Sequence, residues 1–166
     1  MNIMLLGYGR AGKGTFCDIA ESIGLNSVSS SLMACKLGAF NELAKTHGFL
    51  SSDAFYAERH IDRQGCYEAI CKMVEHDRAY LGRKIFEKYP IYDGCRDDEE
   101  FYAIKKAGLI DLTIWIDAGD RVPPESTESM KTHKGMADII ILNDADGSDA
   151  QANYELRVRN LITSFL

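Results

Sequence analysis

Residues 3–15 run Ile3-Met4-Leu5-Leu6 and then Gly7-Tyr8-Gly9-Arg10-Ala11-Gly12-Lys13-Gly14-Thr15, an apolar stretch followed at once by G-x-x-x-x-G-K-G-T. This order leaves few ways to fold, because it asks for a short buried strand, a glycine-rich turn and a helix in immediate succession. The helix is expected from Thr15 to Ile23, with apolar side chains at Phe16, Ile19, Ala20 and Ile23 on one face and Gly24 as its stop. Glycines in the turn let successive backbone N–H groups face one anion, and the helix N-terminus adds partial positive charge. Lys13 can then bridge the outer phosphates of a nucleoside triphosphate. The expected ATP contacts are Gly7, Gly9, Arg10, Ala11, Gly12, Lys13, Gly14 and Thr15.

The residue after Lys13 is Gly14, and the hydroxyl arrives only at Thr15. GTPases and motor ATPases place Ser or Thr directly after the lysine, whereas G-K-G-T resembles the nucleoside monophosphate kinase branch. A formal charge of −6 argues against a general nucleic-acid binder, which needs a basic face. The five cysteines (Cys17, Cys35, Cys66, Cys71, Cys95) form no C-x-x-C pair and have no matching histidine spacing, so reduced thiols in a cytoplasmic protein are expected. Neither a leader-like N-terminal segment nor a run of about 20 apolar residues is present, and no membrane association is expected.

Helix and strand patterns alternate along the remaining chain, which predicts an α/β fold with a parallel sheet covered by helices. A strand end is expected at Asn26-Ser27-Val28, a helix from the Ser29-Ser30-Ser31 caps to about His47, and a helical region from Ser51 to Tyr89, broken at Gly65 or Asp77. Further strands are expected at Ile91-Tyr92-Asp93-Gly94, Leu112–Ile116 and Ile139–Leu142. Asp97-Asp98-Glu99-Glu100 has capping-box spacing for a helix to Lys106, and a last helix is expected from Asp149 to Leu166. The polar stretch 118–136, carrying Arg121-Val122-Pro123-Pro124-Glu125, is long for a loop and is read as a lid. Asp144–Asp149 is acidic but lacks the sixth-position glycine and the terminal glutamate of an EF-hand loop, and reads as a turn and helix N-cap.

In order along the chain stand the glycine loop, Val28-Ser29-Ser30-Ser31, Glu58-Arg59-His60-Ile61-Asp62-Arg63, Leu81-Gly82-Arg83, Tyr92-Asp93-Gly94-Cys95-Arg96, Trp115-Ile116-Asp117-Ala118 with Arg121–Glu125, and Ala137-Asp138. Taken together, these stretches resemble the P-loop nucleoside monophosphate kinases, in particular the deoxynucleoside monophosphate kinases encoded by bacteriophages. The resemblance covers nearly the whole chain, although the later motifs gain force only from their order. It implies one kinase domain with a core of 1–28, 81–117 and 137–166, an acceptor-binding insertion at about 29–80 and the lid at 118–136. It also implies Mg²⁺, ATP as phosphoryl donor, a nucleoside monophosphate as acceptor, and the host cytoplasm if the chain is phage-encoded. A homodimer is left open.

The roles expected of single residues follow from what phosphoryl transfer needs, which is positioning and neutralisation of charge. Arg59 and Arg63 are four apart, so one helix would present both to an acceptor phosphate; a solvated pairing with Glu58 and Asp62 competes with that reading. Arg96 leaves a strand at its carboxyl end, where α/β sheets place ligands. The resemblance gives Arg96 to the acceptor phosphate or the transferred group and the lid Arg121 to the donor phosphates, both as catalytic partners of Lys13, and puts Ser30 on the acceptor side. Thr15 and Asp93 are the expected Mg²⁺ contacts, through water. Arg83 is a weaker candidate. Two alternatives stay open: a kinase of another small acceptor, such as dephospho-coenzyme A or a hydroxymethylated base, and an ATP-binding sensor without turnover.

Overall fold

The computed structural model describes residues 1–126, 130–145, 147 and 149–165; positions 127–129 of the expected lid, 146 and 148 of the acidic turn, and 166 of the last helix lie outside the described residues. Five strands, β1 (Ile3–Leu6), β2 (Ser27–Ser29), β3 (Ile91–Asp93), β4 (Leu112–Asp117) and β5 (Ile139–Leu142), form one sheet in the order β2-β3-β1-β4-β5. Every pairing is parallel. The α/β architecture expected from the alternating pattern is therefore present. No helix among the described residues is long and apolar enough to cross a membrane.

Alternation along β1 divides the core into two layers. Ile3 and Leu5 face one side and pack with Phe16, Ile19 and Ala20 of α1 (Lys13–Ser22) and with Tyr154, Val158 and Ile162 of α8 (Ala150–Thr163). Met4 and Leu6 face the other side, against the helices α2 (Ser30–Lys36), α3 (Asn41–Thr46), α4 (Ser52–Ala57), α5 (Arg63–Met73), α6 (Tyr80–Phe86) and α7 (Asp98–Lys106). Both faces of β1 are buried, so its four residues read as a continuous apolar run rather than an alternating one. Each such side chain contributes roughly 1.5–3 kcal/mol by leaving water.

Three helical segments differ from the sequence reading. The single helix expected through His47 is split into α2 and α3. Gly38, at φ 88°, occupies the left-handed region, and Ala39 N–H bonds back to Ala34 O at 2.9 Å, a glycine termination that the apolar periodicity conceals. The next region is broken twice: at Asp77, as expected, between the end of α5 at Met73 and the start of α6 at Tyr80, and a few residues before Gly65, where Asp62 caps α5 through Gly65 N–H at 2.8 Å and a 3-10 turn spans Arg59–Asp62. Arg59 and Arg63 consequently do not share one α-helix, and the same-face argument for them is corrected. Only half of the predicted capping box forms: Asp97 Oδ1 accepts from Glu100 N–H at 3.0 Å, while the Glu100 side chain turns into the core and accepts from the Tyr92 hydroxyl at 2.6 Å.

Burial pushes the Glu100 carboxyl from 4.5 up to about 7, against the opposing hydrogen bond from Tyr92. The folded chain thus holds this proton more tightly than the unfolded chain, and the resulting stability is present in full below about pH 4.5 and is lost as pH rises through about 7. Replacement by glutamine keeps the shape and an acceptor oxygen for Tyr92 while removing the buried charge. Glu100→Gln should therefore raise stability by about 1–3 kcal/mol at pH 8 and by much less at pH 5. Denaturant unfolding at the two pH values measures this, and a gap that does not widen with pH contradicts the assignment.

Candidate functional site

The chain crosses from one side of β1 to the other at the carboxyl ends of β1 and β3, and the glycine-rich loop emerges there. Such a reversal of strand order opens a crevice in parallel α/β sheets. Gly12 sits at φ 109° at the N-cap of α1, where a Cβ would collide with the Asn143 side-chain amide. That close approach is used: Asn143 Nδ2 donates to Ala11 O at 2.8 Å, and the Tyr154 hydroxyl of α8 donates to Gly12 O at 2.9 Å. The loop is thereby fastened from the β5 end and from α8. Arg10, at φ 66°, is exposed and makes no hydrogen bond among the described residues.

Lys13 folds over the loop, and its Nζ donates to Gly7 O at 2.7 Å and to Tyr8 O at 2.9 Å. Burial draws its ammonium below the usual lysine range; Asp93 opposes that shift, Arg96 adds to it, and Glu125 opposes it again. Asp93 ends β3 opposite Leu5. Burial also raises the Asp93 carboxyl, with Lys13 and Arg96 only partly offsetting it, and its Oδ1 is buried without a hydrogen-bond partner. An orphaned carboxylate oxygen next to a lysine and a threonine-bearing helix start fits a hydrated Mg²⁺, which takes few protein oxygens and keeps several waters. Among the described residues no group of three or more His, Cys, Asp or Glu could hold a metal alone, so phosphate oxygens would have to complete the coordination. Thr15, in the first turn of α1, is half-buried.

Arg96 follows the β3 end and pairs with both carboxylate oxygens of Glu125: NH1 with Oε2 in a short contact and NH2 with Oε1 at 3.3 Å. Glu125 Oε1 also accepts from Gly9 N–H at 2.6 Å. Asp97, next in sequence to Arg96, caps α7 and pairs with Lys131 at 3.2 Å. The described part of the 118–136 segment is docked on the strand ends, with Lys131 N–H on Arg96 O at 2.8 Å and Thr132 Oγ1 on Cys95 O at 3.1 Å. Arg121 lies in a 3-10 turn, Gly119–Arg121, and donates from Nε to Asn143 O at 2.9 Å and from NH2 in a shorter contact.

On the other side of Arg96 a narrow cavity opens between β3, α5 and α7, lined among others by Ser30, Tyr67, Ile70, Arg78, Gly94 and Glu100. Ser30 Oγ donates to Gly94 O at 3.2 Å, which fixes the start of α2 against the β3 end. Tyr56 reaches the same corner, its hydroxyl 3.4 Å from both Ser29 Oγ and Ser31 Oγ, and Arg59 stacks on its ring at 4.2 Å. Arg63 makes no ion pair among the described residues. The neighbouring carboxylates that compete for the two arginines pair elsewhere, Asp62 with His47 at 2.9 Å and Glu58 with His60 at 3.7 Å. Arg83 pairs with Asp77 at the surface.

The loop residues, Lys13, Thr15, Asp93 and Arg96 therefore converge, Ser30 stands at their flank, and Arg59, Arg63 and Arg121 lie further out. Sequence reasoning missed Glu125, Asn143 and Glu100. Pro123-Pro124-Glu125 held a signal, since two prolines stiffen the chain just ahead of a carboxylate. Asn143 directly follows an apolar strand and could have been marked as a strand-end polar group. Glu100 was absorbed into the capping-box pattern. No protein-family model matches the chain, and no curated protein matches it.

Proposed function

We propose that the chain is a P-loop kinase that moves the γ-phosphoryl group of ATP to a nucleoside monophosphate, with a deoxynucleotide as acceptor. The observation that carries this reading is the convergence of Lys13, Asp93 and Arg96 on the glycine-rich loop at the reversal of strand order, with a cavity continuing past Arg96. Loop amides and the α1 N-terminus would cradle the donor phosphates, and Lys13 would turn from the Gly7 and Tyr8 carbonyls toward the β- and γ-oxygens. Thr15 and Asp93 would hold Mg²⁺ through water, its charge neutralising the donor phosphates when bound.

On the acceptor side, an oxygen of the monophosphate attacks the γ-phosphorus while the bond to the β-bridging oxygen breaks, and ADP keeps the released charge. That nucleophile is already ionised at neutral pH, so no strong base is required. Arg96, poised between loop and cavity, would meet the three equatorial oxygens as they pass. Ser30, Arg59 and Arg63 would grip the acceptor phosphate, and the cavity wall formed by Tyr67, Ile70 and Glu100 would face the base. The unpartnered Asp93 Oδ1 supports one second reading, a hydroxyl acceptor such as dephospho-coenzyme A, because a raised carboxyl beside the loop can serve as general base. ADP release measured across all common monophosphates and hydroxyl acceptors separates the two.

Lys13→Ala should lower turnover about 100-fold or more while the thermal melt stays close to wild type, since loss of one electrostatic group at a transferring phosphate has that size. More than about a tenth of wild-type turnover, or full activity in excess chelator, sinks the kinase reading.

Alanine variants of the arginines should divide by kinetic class. Loss of Arg59 or Arg63 should raise the acceptor KM with a smaller change in kcat and leave ATP affinity nearly unchanged. Loss of Arg96 or Arg121 should lower kcat by roughly 2–4 kcal/mol of transition-state stabilisation, and lysine should rescue Arg96 poorly because it cannot reproduce a two-pronged contact. Two-substrate initial rates supply the test; Arg59 and Arg63 variants that match wild type toward every acceptor return those side chains to the solvated surface.

A further inference from the structure

The outer lip of the glycine-rich loop already carries an anion. Glu125 sends its carboxylate onto the Gly9 N–H at 2.6 Å and spans the fork of Arg96 with its two oxygens. These are the donors that an oxyanion would meet at the lip: a backbone amide of the loop and a guanidinium at a strand end, with the Lys13 ammonium close enough to act on the same carboxylate. A Cβ on Gly9 would stand 3.2 Å from Glu125 Oε1, so glycine leaves the carboxylate room to seat. The side chain of Glu125 is only 24% exposed, which makes this a seated contact rather than a solvated surface pair. Burial alone would push the Glu125 carboxyl up; Arg96, the Gly9 amide and Lys13 outweigh it and hold the group below the usual carboxylate range, so it is charged at neutral pH.

We infer that Gly9 N–H and Arg96 form a phosphoryl subsite of their own, distinct from the deeper Gly12–Thr15 cradle, and that Glu125 fills it as an internal stand-in for the terminal phosphate until a triphosphate displaces it. The inference rests on the phosphate-loop reading and adds to it an occupant and a competition. Two anions cannot share one amide and one guanidinium fork, because both would need the same protons and would repel each other across a few ångströms. A ligand reaching only the deep cradle leaves Glu125 seated. A ligand with a further phosphate must expel it, and its apparent affinity is lowered by the fraction of molecules whose lip is vacant. Val122 to Ser126 lie between the Arg121 anchor on Asn143 and the Met130 N–H bond to Ser126 O at 3.0 Å.

The test compares ADP with the non-hydrolysable imido analogue of ATP, each with Mg²⁺, by calorimetry on wild type, Glu125→Ala and Glu125→Gln. Alanine removes the competitor outright, whereas the glutamine amide oxygen can still accept from Gly9, so Glu125→Gln should fall between the other two. The analogue should bind Glu125→Ala about 10-fold more tightly or better, the size of a charge-assisted hydrogen bond lost from the competing state, while ADP changes by less than about 3-fold. Unchanged or weakened binding of the analogue in the folded Glu125→Ala variant overturns the inference and makes Glu125 a positioning residue for Arg96. Equal tightening of both ligands also overturns it, because removal of a general negative charge would explain that result. Failure of either nucleotide to bind wild type or variants removes the phosphate-loop reading itself, and the inference with it.

Discussion

Strand β1 is bonded on both edges, to β3 through Ile3, Met4 and Leu5 and to β4 through all four of its residues, and both its faces are buried. A strand held this way cannot shift register without exposing apolar side chains on two faces at once. The loop that leaves it at Gly7 therefore starts from a fixed point and a fixed direction. Asp93 on β3 is held level with Leu5 by the same ladder, and Arg96 departs from that strand end three residues later. Parallel pairing in the centre of the sheet thus sets the place of the Asp93 carboxyl directly and the starting points of the short connections that lead to Lys13 and Arg96.

The charges gathered at that edge nearly compensate one another. Lys13 and Arg96 face Asp93 and Glu125 in a partly desolvated setting, where each group shifts its neighbours. Burial of isolated charges here would be costly, and mutual pairing offsets much of that cost. A polyanion entering the crevice would exchange internal partners for external ones, so the gain on binding is smaller than a count of contacts suggests. Such a balance favours selectivity over raw affinity, since only a ligand with matching charges at the right spacing replaces all the pairings it breaks.

Much of the fold was legible in the sequence because it rests on short-range signals. The apolar runs Ile3–Leu6, Leu112–Ile116 and Ile139–Leu142 appear as strands, and the Asp97 cap and the glycine stop after α1 fall where expected. The failures have one physical source, which is that local pattern does not encode tertiary partners. Gly38 looked tolerable inside an amphipathic helix until its backbone entered the left-handed region. Glu100 matched a capping box, but the Tyr92 hydroxyl competed successfully for its side chain. In the site, the loop and the residues ending β3 were readable from composition and order. Glu125 and Asn143 lie 116 and 132 residues from the loop groups they bond, distances over which no periodicity carries information.

Asn143 makes two bonds with opposite ends of one residue. Its side-chain amide holds Ala11 in the loop, and its backbone carbonyl holds the Arg121 guanidinium at the rim. A single residue thus hydrogen-bonds to both the loop and Arg121, beside the separate Gly9–Glu125 bond between the loop and the same segment. A displacement of Asn143 would reach both the loop and the footing of Arg121, and any coupling free energy it carried would act equally in both directions. The rim and the loop of this crevice accordingly rest on one shared support.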